Sequence, residues 1–131
     1  IILPALAAGK IVLSDRYVDS SIAYQGAGRE LGMDLVARIN APAIDGCLPD
    51  LTVLLDIDAA AALRRRERAS EVDRIEMMED SFHVRVGKAY QELLKQNPGR
   101  IIRVDAQGSE EEVALRVSAL VSQRLKDAGL A

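Results

Sequence analysis

The sequence has 131 residues, of which 49% are hydrophobic and 28% charged, and its formal net charge is -3. This length and composition suit one domain with a substantial hydrophobic core, and the acidic balance argues against nucleic acid or an anionic membrane surface as a partner. A single cysteine, Cys47, excludes an internal disulfide, and a single histidine, His83, excludes a multi-histidine metal site.

The first half of the chain predicts helix, strand and helix in succession. Residues 1–8 read as the last turns of a helix that Gly9 ends. The apolar, β-branched run of residues 10–14 predicts a buried strand of a parallel sheet. Residues 18–29 indicate the next helix, and Asp34 is expected to cap a third.

The second half continues this alternation. Residues 51–57 are apolar almost throughout, which is typical of a strand covered on both faces. A helix capped by Asp58, a long helix at residues 75–96 and a strand at residues 100–105 follow. Ser109 opens a capping box at the start of the last helix. Alternation of strand and helix is typical of an α/β protein with a parallel sheet.

Polar side chains suited to a phosphate site follow the first predicted strand. We expect Asp15 and Arg16 just beyond its carboxyl end, where open α/β sheets bind ligands. A guanidinium can fork onto phosphate oxygens, and a carboxylate can hold a magnesium-bound water. Ser21, Tyr24 and Gln25 come next at helical spacing and can face one ligand. The alternative is a charged pair that caps a helix, followed by an ordinary helix surface.

Five arginines fall between residues 64 and 74, and four of them lie within residues 64–68, which contain no lysine. A charge run on a helix is most often a solvated face. Arginine without lysine, however, favours planar recognition of anions. We therefore expect a lid at about residues 64–76 that can close over a polyphosphate and exclude water.

Three separated motifs, and a fourth short segment after them, resemble the thymidylate kinases, which phosphorylate dTMP. Residues 15–29 match the family's Asp-Arg-Tyr, a following Ser, then Ala-Tyr-Gln-Gly and a further Gly and Arg. Residues 48–56 resemble its Leu-Pro-Asp-Leu and the strand that ends in Leu-Asp. Residues 73–76 resemble its Asp-Arg-Ile-Glu, and residues 104–106 its segment near the adenine of ATP. The resemblance covers essentially the whole chain.

The resemblance implies a three-layer P-loop kinase fold with a parallel sheet in the order 2-3-1-4-5. Residues 11–14, 52–56 and 101–104 would be strands 3, 4 and 5, with strands 4 and 5 paired directly. Neither Gly-Lys pair, Gly9-Lys10 or Gly87-Lys88, is followed by the Ser or Thr that ends a P-loop. We therefore expect a single incomplete nucleoside monophosphate kinase domain without its first two strands, inactive by itself.

The resemblance also implies a role for each residue of the first motif. Asp15 would orient magnesium, through water, and the phosphate groups. Arg16 would hold the phosphate of dTMP beside the transferred group. Ser21 would hydrogen-bond the thymine edge, Tyr24 would pack on the deoxyribose and disfavour a 2′-hydroxyl, and Gln25 would lie along the base.

ATP and magnesium are the expected co-substrate and cofactor. Arg66 and Arg68 would stabilise charge in the transition state. Arg65, Arg74 and Ala106 would contact ATP, Arg65 by stacking on adenine, and Arg74 would also organise the lid. The family further implies a homodimer, and the lack of a long apolar run or signal peptide leads us to expect a cytoplasmic protein.

Two other functions fit the same residues. A kinase-derived fragment could bind a nucleotide or a partner without catalysis, which the missing P-loop favours for this chain as written. A related kinase could act on another nucleoside or monophosphate.

Overall fold

A computed structural model describes residues 1–56 and 80–130, which fall into two compact units. The described part of the first unit comprises residues 1–50 and 80–97. That of the second comprises residues 51–56 and 98–130. Each unit is described by itself below.

The first unit is helical. Residues that pack at spacings of three and four build its core, because such residues share one face of a helix. Val86, Ala89 and Leu93 are the buried residues of this kind on the long helix, and they are all less than 7% exposed. The elements in chain order are α1 (Ile2–Ala7), α2 (Val18–Ser21), a π-helix (Ile22–Gly28), α3 (Met33–Ile44) and α4 (Asp80–Gln96).

The prediction of a strand at residues 10–14 is wrong. These residues form no regular element, and Ile11 and Leu13 are 61% and 87% exposed. A strand exists only where a neighbour completes its hydrogen-bond ladder, and no described strand pairs with this segment. Asp15 and Arg16 therefore follow an irregular stretch of chain and not a strand end.

The prediction that Asp34 caps the third helix is also wrong. The cap of α3 is Gly32, whose φ of 92° favours glycine, and the helix begins at Met33. Asp34 lies in the first turn, where its charge still interacts favourably with the helix dipole. Pro42 lies inside α3 without ending it at once, since the helix continues to Ile44.

The second unit contains the predicted parallel pairing. Strands β1 (Thr52–Asp56) and β2 (Ile101–Asp105) run in register from Thr52↔Ile101 to Asp56↔Asp105. The pairing confirms that the second and third predicted strands are neighbours. The described residues hold these two strands only, so the rest of the order 2-3-1-4-5 stays a prediction.

Helix α5 (Glu110–Asp127) follows β2 and begins at the predicted capping box. The Ser109 hydroxyl accepts from the Glu112 N–H at 3.2 Å, and the Glu112 carboxylate accepts from the Ser109 N–H at 2.8 Å. Two N–H groups at the start of the helix are thereby satisfied. Within residues 1–56 and 80–130, no helix combines the length and apolar character that a membrane span requires.

Candidate functional site

Arg16 adopts a backbone conformation that is uncommon for its residue type. Its φ is 66°, in the left-handed region, which costs a non-glycine residue about 1 kcal/mol or more. The Ser14 hydroxyl donates to the Arg16 carbonyl at 2.8 Å. Such strain is concentrated at functional positions, where the surrounding contacts compensate for it. The hydrogen bond from Ser14 is one of those contacts.

The side chain of Arg16 lies over an aromatic ring. The guanidinium carbon is 5.1 Å from the centroid of the Tyr24 ring, within the range of a cation–π interaction. Arg16 is exposed, so the contact leaves donors of the planar guanidinium available to an anion. The two residues of the motif predicted to bind phosphate and sugar are therefore brought together.

Tyr24 is itself held by the long helix of the same unit. Its ring contacts Phe82 at a centroid distance of 5.9 Å and Tyr90 at 6.5 Å, with interplanar angles of 68° and 77°. These are edge-to-face pairs, in which the positive edge of one ring meets the negative face of another. We call Tyr24, Phe82 and Tyr90 the ring cluster.

Tyr90 connects the ring cluster to α2. Its hydroxyl and the Ser20 hydroxyl form a hydrogen bond of 2.8 Å. Burial raises the pKa of Tyr90 above its ordinary value, and the bond to Ser20 opposes that rise. The phenol therefore stays neutral at physiological pH, and either hydroxyl can donate in this contact.

Sequence reasoning missed Tyr90, although a signal was present. Tyr90 follows Val86 by four residues and precedes Leu93 by three, which places it on the buried stripe of α4. A tyrosine on an apolar stripe needs a partner for its hydroxyl. The identity of that partner, 70 residues away, could not be read from the spacing.

Ser21 contacts α3 and not the ring cluster. Its hydroxyl accepts a hydrogen bond of 3.3 Å from the side-chain amide of Asn40, which also donates to the Val36 carbonyl at 2.8 Å. Both Ser21 and Asn40 line a pocket of about 180 Å³. Asn40 was not predicted as a site residue. The other lining residues are Tyr17, Val18, Ala43 and Ile44.

The π-helix changes the geometry on which the sequence prediction depended. The Arg29 N–H donates to the Tyr24 carbonyl at 2.9 Å, a bond between residues five apart. Gln25 is exposed, whereas Tyr24 is half-buried against the ring cluster. A common ligand-facing surface for Ser21, Tyr24 and Gln25 stays a prediction. Single turns of π-helix occur often at functional sites.

The end of the π-helix lies directly against α4, and Gly28 makes this possible. A Cβ at Gly28 would stand 2.5 Å from Cε2 of Phe82 and 2.8 Å from Cγ2 of Val86. The Gly28 carbonyl accepts from Nη2 of Arg85 at 2.9 Å and from its Nε at 3.2 Å. The glycine therefore sets the distance between the motif and the ring that supports Tyr24.

The predicted ATP-side residues are largely outside the described part of the chain. Arg65, Arg66, Arg68 and Arg74 all fall within residues 57–79, as does Asp58. Ala106 is described and is 3% exposed. Its N–H donates to the Asp56 carbonyl at 2.7 Å, so a contact with adenine would need another atom of the residue.

Asp15 is the candidate for magnesium. It is exposed, and within residues 1–56 and 80–130 no group of three His, Cys, Asp or Glu residues is arranged to hold a metal ion. Magnesium commonly binds proteins through one or two carboxylates, its own waters and the phosphates of a substrate. A single accessible carboxylate fits that mode of binding and does not fit a closed metal site.

Comparison with known proteins agrees with the motifs. The family model described as thymidylate kinase matches residues 1–117. The thymidylate kinase of Oenococcus oeni is 47% identical over 125 residues, which is 94% of this chain and 59% of that protein. The thymidylate kinase of Enterococcus faecalis is 49% identical over 114 residues, or 86% of this chain and 54% of that protein.

A third relative, the thymidylate kinase of Limosilactobacillus fermentum, is 46% identical over 126 residues. The match includes 95% of this chain and 59% of that relative. The chain thus spans somewhat less than two thirds of the length of the curated relatives to which it is similar.

Proposed function

This chain belongs to the thymidylate kinase family, and from that membership we propose that the whole protein transfers the γ-phosphoryl group of MgATP to dTMP. A phosphate oxygen of dTMP attacks the γ-phosphorus, the bond to the β,γ-bridging oxygen breaks, and dTDP and ADP are released. The observation that carries the proposal is the guanidinium of Arg16, held over the Tyr24 ring at 5.1 Å within the family's own motif.

On the acceptor side, four residues would bind dTMP. Arg16 would fork onto the phosphate, because a planar guanidinium matches two phosphate oxygens at once. Tyr24 would pack on the deoxyribose, Ser21 would meet the thymine edge, and Gln25 would lie along the base. The contact between Ser21 and Asn40 supports this assignment, since it orients the hydroxyl beside a pocket.

On the donor side, the arginine segment would supply positive charge. The transferred phosphoryl group passes through a loose transition state, with negative charge spread over three oxygens. Arg66 and Arg68 would stabilise that charge, while Arg65, Arg74 and Ala106 would contact ATP. Asp15 would hold a water of the magnesium ion. Magnesium, when bound, neutralises charge on the phosphates of ATP.

The alternatives differ in a measurable way. A binding fragment without catalysis would take up nucleotides and leave them unchanged. A kinase for another monophosphate would turn over that compound faster than dTMP. The assembly that we propose for the whole protein is a homodimer in the cytoplasm, acting on small molecules and not on nucleic acid or membranes.

Steady-state kinetics on the whole protein tests the proposal. We expect ADP to form with MgATP and dTMP, to fail to form without magnesium, and to form more slowly when AMP, dCMP or thymidine replaces dTMP. Binding of dTMP without turnover would favour the non-catalytic function. Faster turnover of another acceptor would change the substrate assignment.

Tyr24→Ala is expected to relax discrimination against the ribose sugar by about tenfold, because a ring no longer occupies the space of a 2′-hydroxyl. The measurement is the ratio of kcat/KM for dTMP to that for its ribonucleotide analogue. Removing the ring also affects Arg16, but that loss is common to both substrates and cancels in the ratio. Tyr24→Phe keeps the ring and should keep the ratio. An unchanged ratio in Tyr24→Ala would contradict the role.

A further inference from the structure

Arg16 and Tyr90 are linked by a continuous series of contacts. The Arg16 guanidinium lies on the face of Tyr24, and the Tyr24 ring meets the Tyr90 ring at a centroid distance of 6.5 Å. The Tyr90 hydroxyl is hydrogen-bonded to Ser20 at 2.8 Å. Ser20 belongs to α2, four residues after Arg16, so the series returns to the segment that carries the arginine.

We propose that Tyr90 is a positioning residue for the phosphate subsite: it holds the Tyr24 ring as the platform on which the Arg16 guanidinium is oriented. This inference rests on the proposed function, since it assigns the phosphate of dTMP to Arg16. In this proposal, Tyr90 does not contact the phosphate of dTMP. It acts through Tyr24.

The tyrosine hydroxyl separates this role from simple packing. A phenylalanine at position 90 would fill the same space and still meet the edge of Tyr24. Only the hydroxyl reaches Ser20 and restrains the ring against α2. Arg16 is exposed and long, so its orientation depends on the platform beneath it. If the Tyr24 ring is less well held, affinity should fall only for a ligand whose phosphate binds the Arg16 guanidinium.

The readout is the ratio of the affinities for dTMP and thymidine, measured by calorimetry on the whole protein without ATP. The two ligands differ by the phosphate alone, so the ratio reports the phosphate contribution. Tyr90→Phe is expected to lower this ratio about fivefold, the effect of one net hydrogen bond. Tyr90→Leu, which removes the ring as well, should lower it further.

Ser20→Ala removes the same hydrogen bond from the other side. It should lower the ratio by about the same factor, and the variant with both Ser20→Ala and Tyr90→Phe should lose no more than either alone. The two substitutions lie on different helices. If one single variant fails to fold, the affinity ratio of the other single variant still tests the inference. Thermal melting by circular dichroism identifies such a variant.

Gln91→Ala and Ser118→Ala, at exposed positions of α4 and α5, serve as matched controls and should leave the ratio unchanged. An equal loss of dTMP and thymidine affinity in Tyr90→Phe would show a merely structural role and overturn the inference. Additive losses in the double variant would also overturn it. A wild-type protein that does not prefer dTMP over thymidine would instead refute the proposed function, and the phosphate role of Tyr90 with it.

Discussion

Arg16→Ala is expected to lower the kcat of the whole protein by about 100-fold or more, because preorganised charge at a reacting phosphate is worth roughly 3 kcal/mol. The structure gives the reason for so large an effect. The guanidinium is seated on the Tyr24 ring, which restrains the orientation of its donors. Steady-state kinetics on the purified variant is the measurement.

Two further variants show whether charge or geometry matters. Arg16→Lys keeps the charge but loses the planar fork, so its kcat should fall between those of the wild type and Arg16→Ala. Arg38→Ala removes an exposed arginine of α3 that has no proposed role, and it should behave like the wild type. An Arg16→Ala variant within threefold of the wild type would refute the assignment of the phosphate site.

Gly28→Ala is expected to lower the free energy of unfolding by about 2–3 kcal/mol, because the added methyl group overpacks a closed contact. Its Cβ would lie 2.5 Å from Cε2 of Phe82 and 2.8 Å from Cγ2 of Val86, distances that force these side chains or the helix that carries them to move. The Phe82 ring supports Tyr24, so the displacement should reach the platform of Arg16 as well. Urea denaturation gives the change in stability.

The matched control for Gly28 lies on the helix that it touches. Gly87 is exposed on α4, and a Cβ there meets nothing within 4 Å. Gly87→Ala should therefore stabilise the protein by about 0.5–1 kcal/mol through helix propensity and reduced freedom of the unfolded chain. Opposite signs at the two glycines are the expected result. A Gly28→Ala variant as stable as the wild type would mean that the two helices separate at low cost.

Sequence reasoning predicted correctly one element with a local cause, the capping box, and one long-range pairing that the family resemblance implied. The capping box of Ser109 and Glu112 depends on residues three apart, and it is present in both directions. The apolar run that became β1 pairs with β2 as predicted. Residues 10–14 have a similar composition but no described strand beside them, so composition alone did not make a strand.

In the candidate site too, contacts within one motif were predicted and contacts from other helices were not. Arg16 and Tyr24 lie eight residues apart in one motif, and the structure brings them together. Phe82, Tyr90 and Asn40 were missed, because they reach the motif from two other helices, α4 and α3, and no spacing rule connects them to it. The π-helix was missed for a different reason. The chain forms a wider turn there, with close packing at Gly26 and Gly28, whereas the periodicity rules assume an α-helix.

The ring cluster also gives the chain an internal optical reporter. The sequence contains three tyrosines and no tryptophan, and two of the tyrosines, Tyr24 and Tyr90, belong to the cluster. Ultraviolet emission from this chain is therefore not masked by indole, and one of its tyrosines, Tyr24, lies directly against the Arg16 guanidinium. An anion that draws the guanidinium away from Tyr24 changes the surroundings of an emitting ring. We therefore expect occupancy of the proposed phosphate subsite to change the tyrosine emission of this chain.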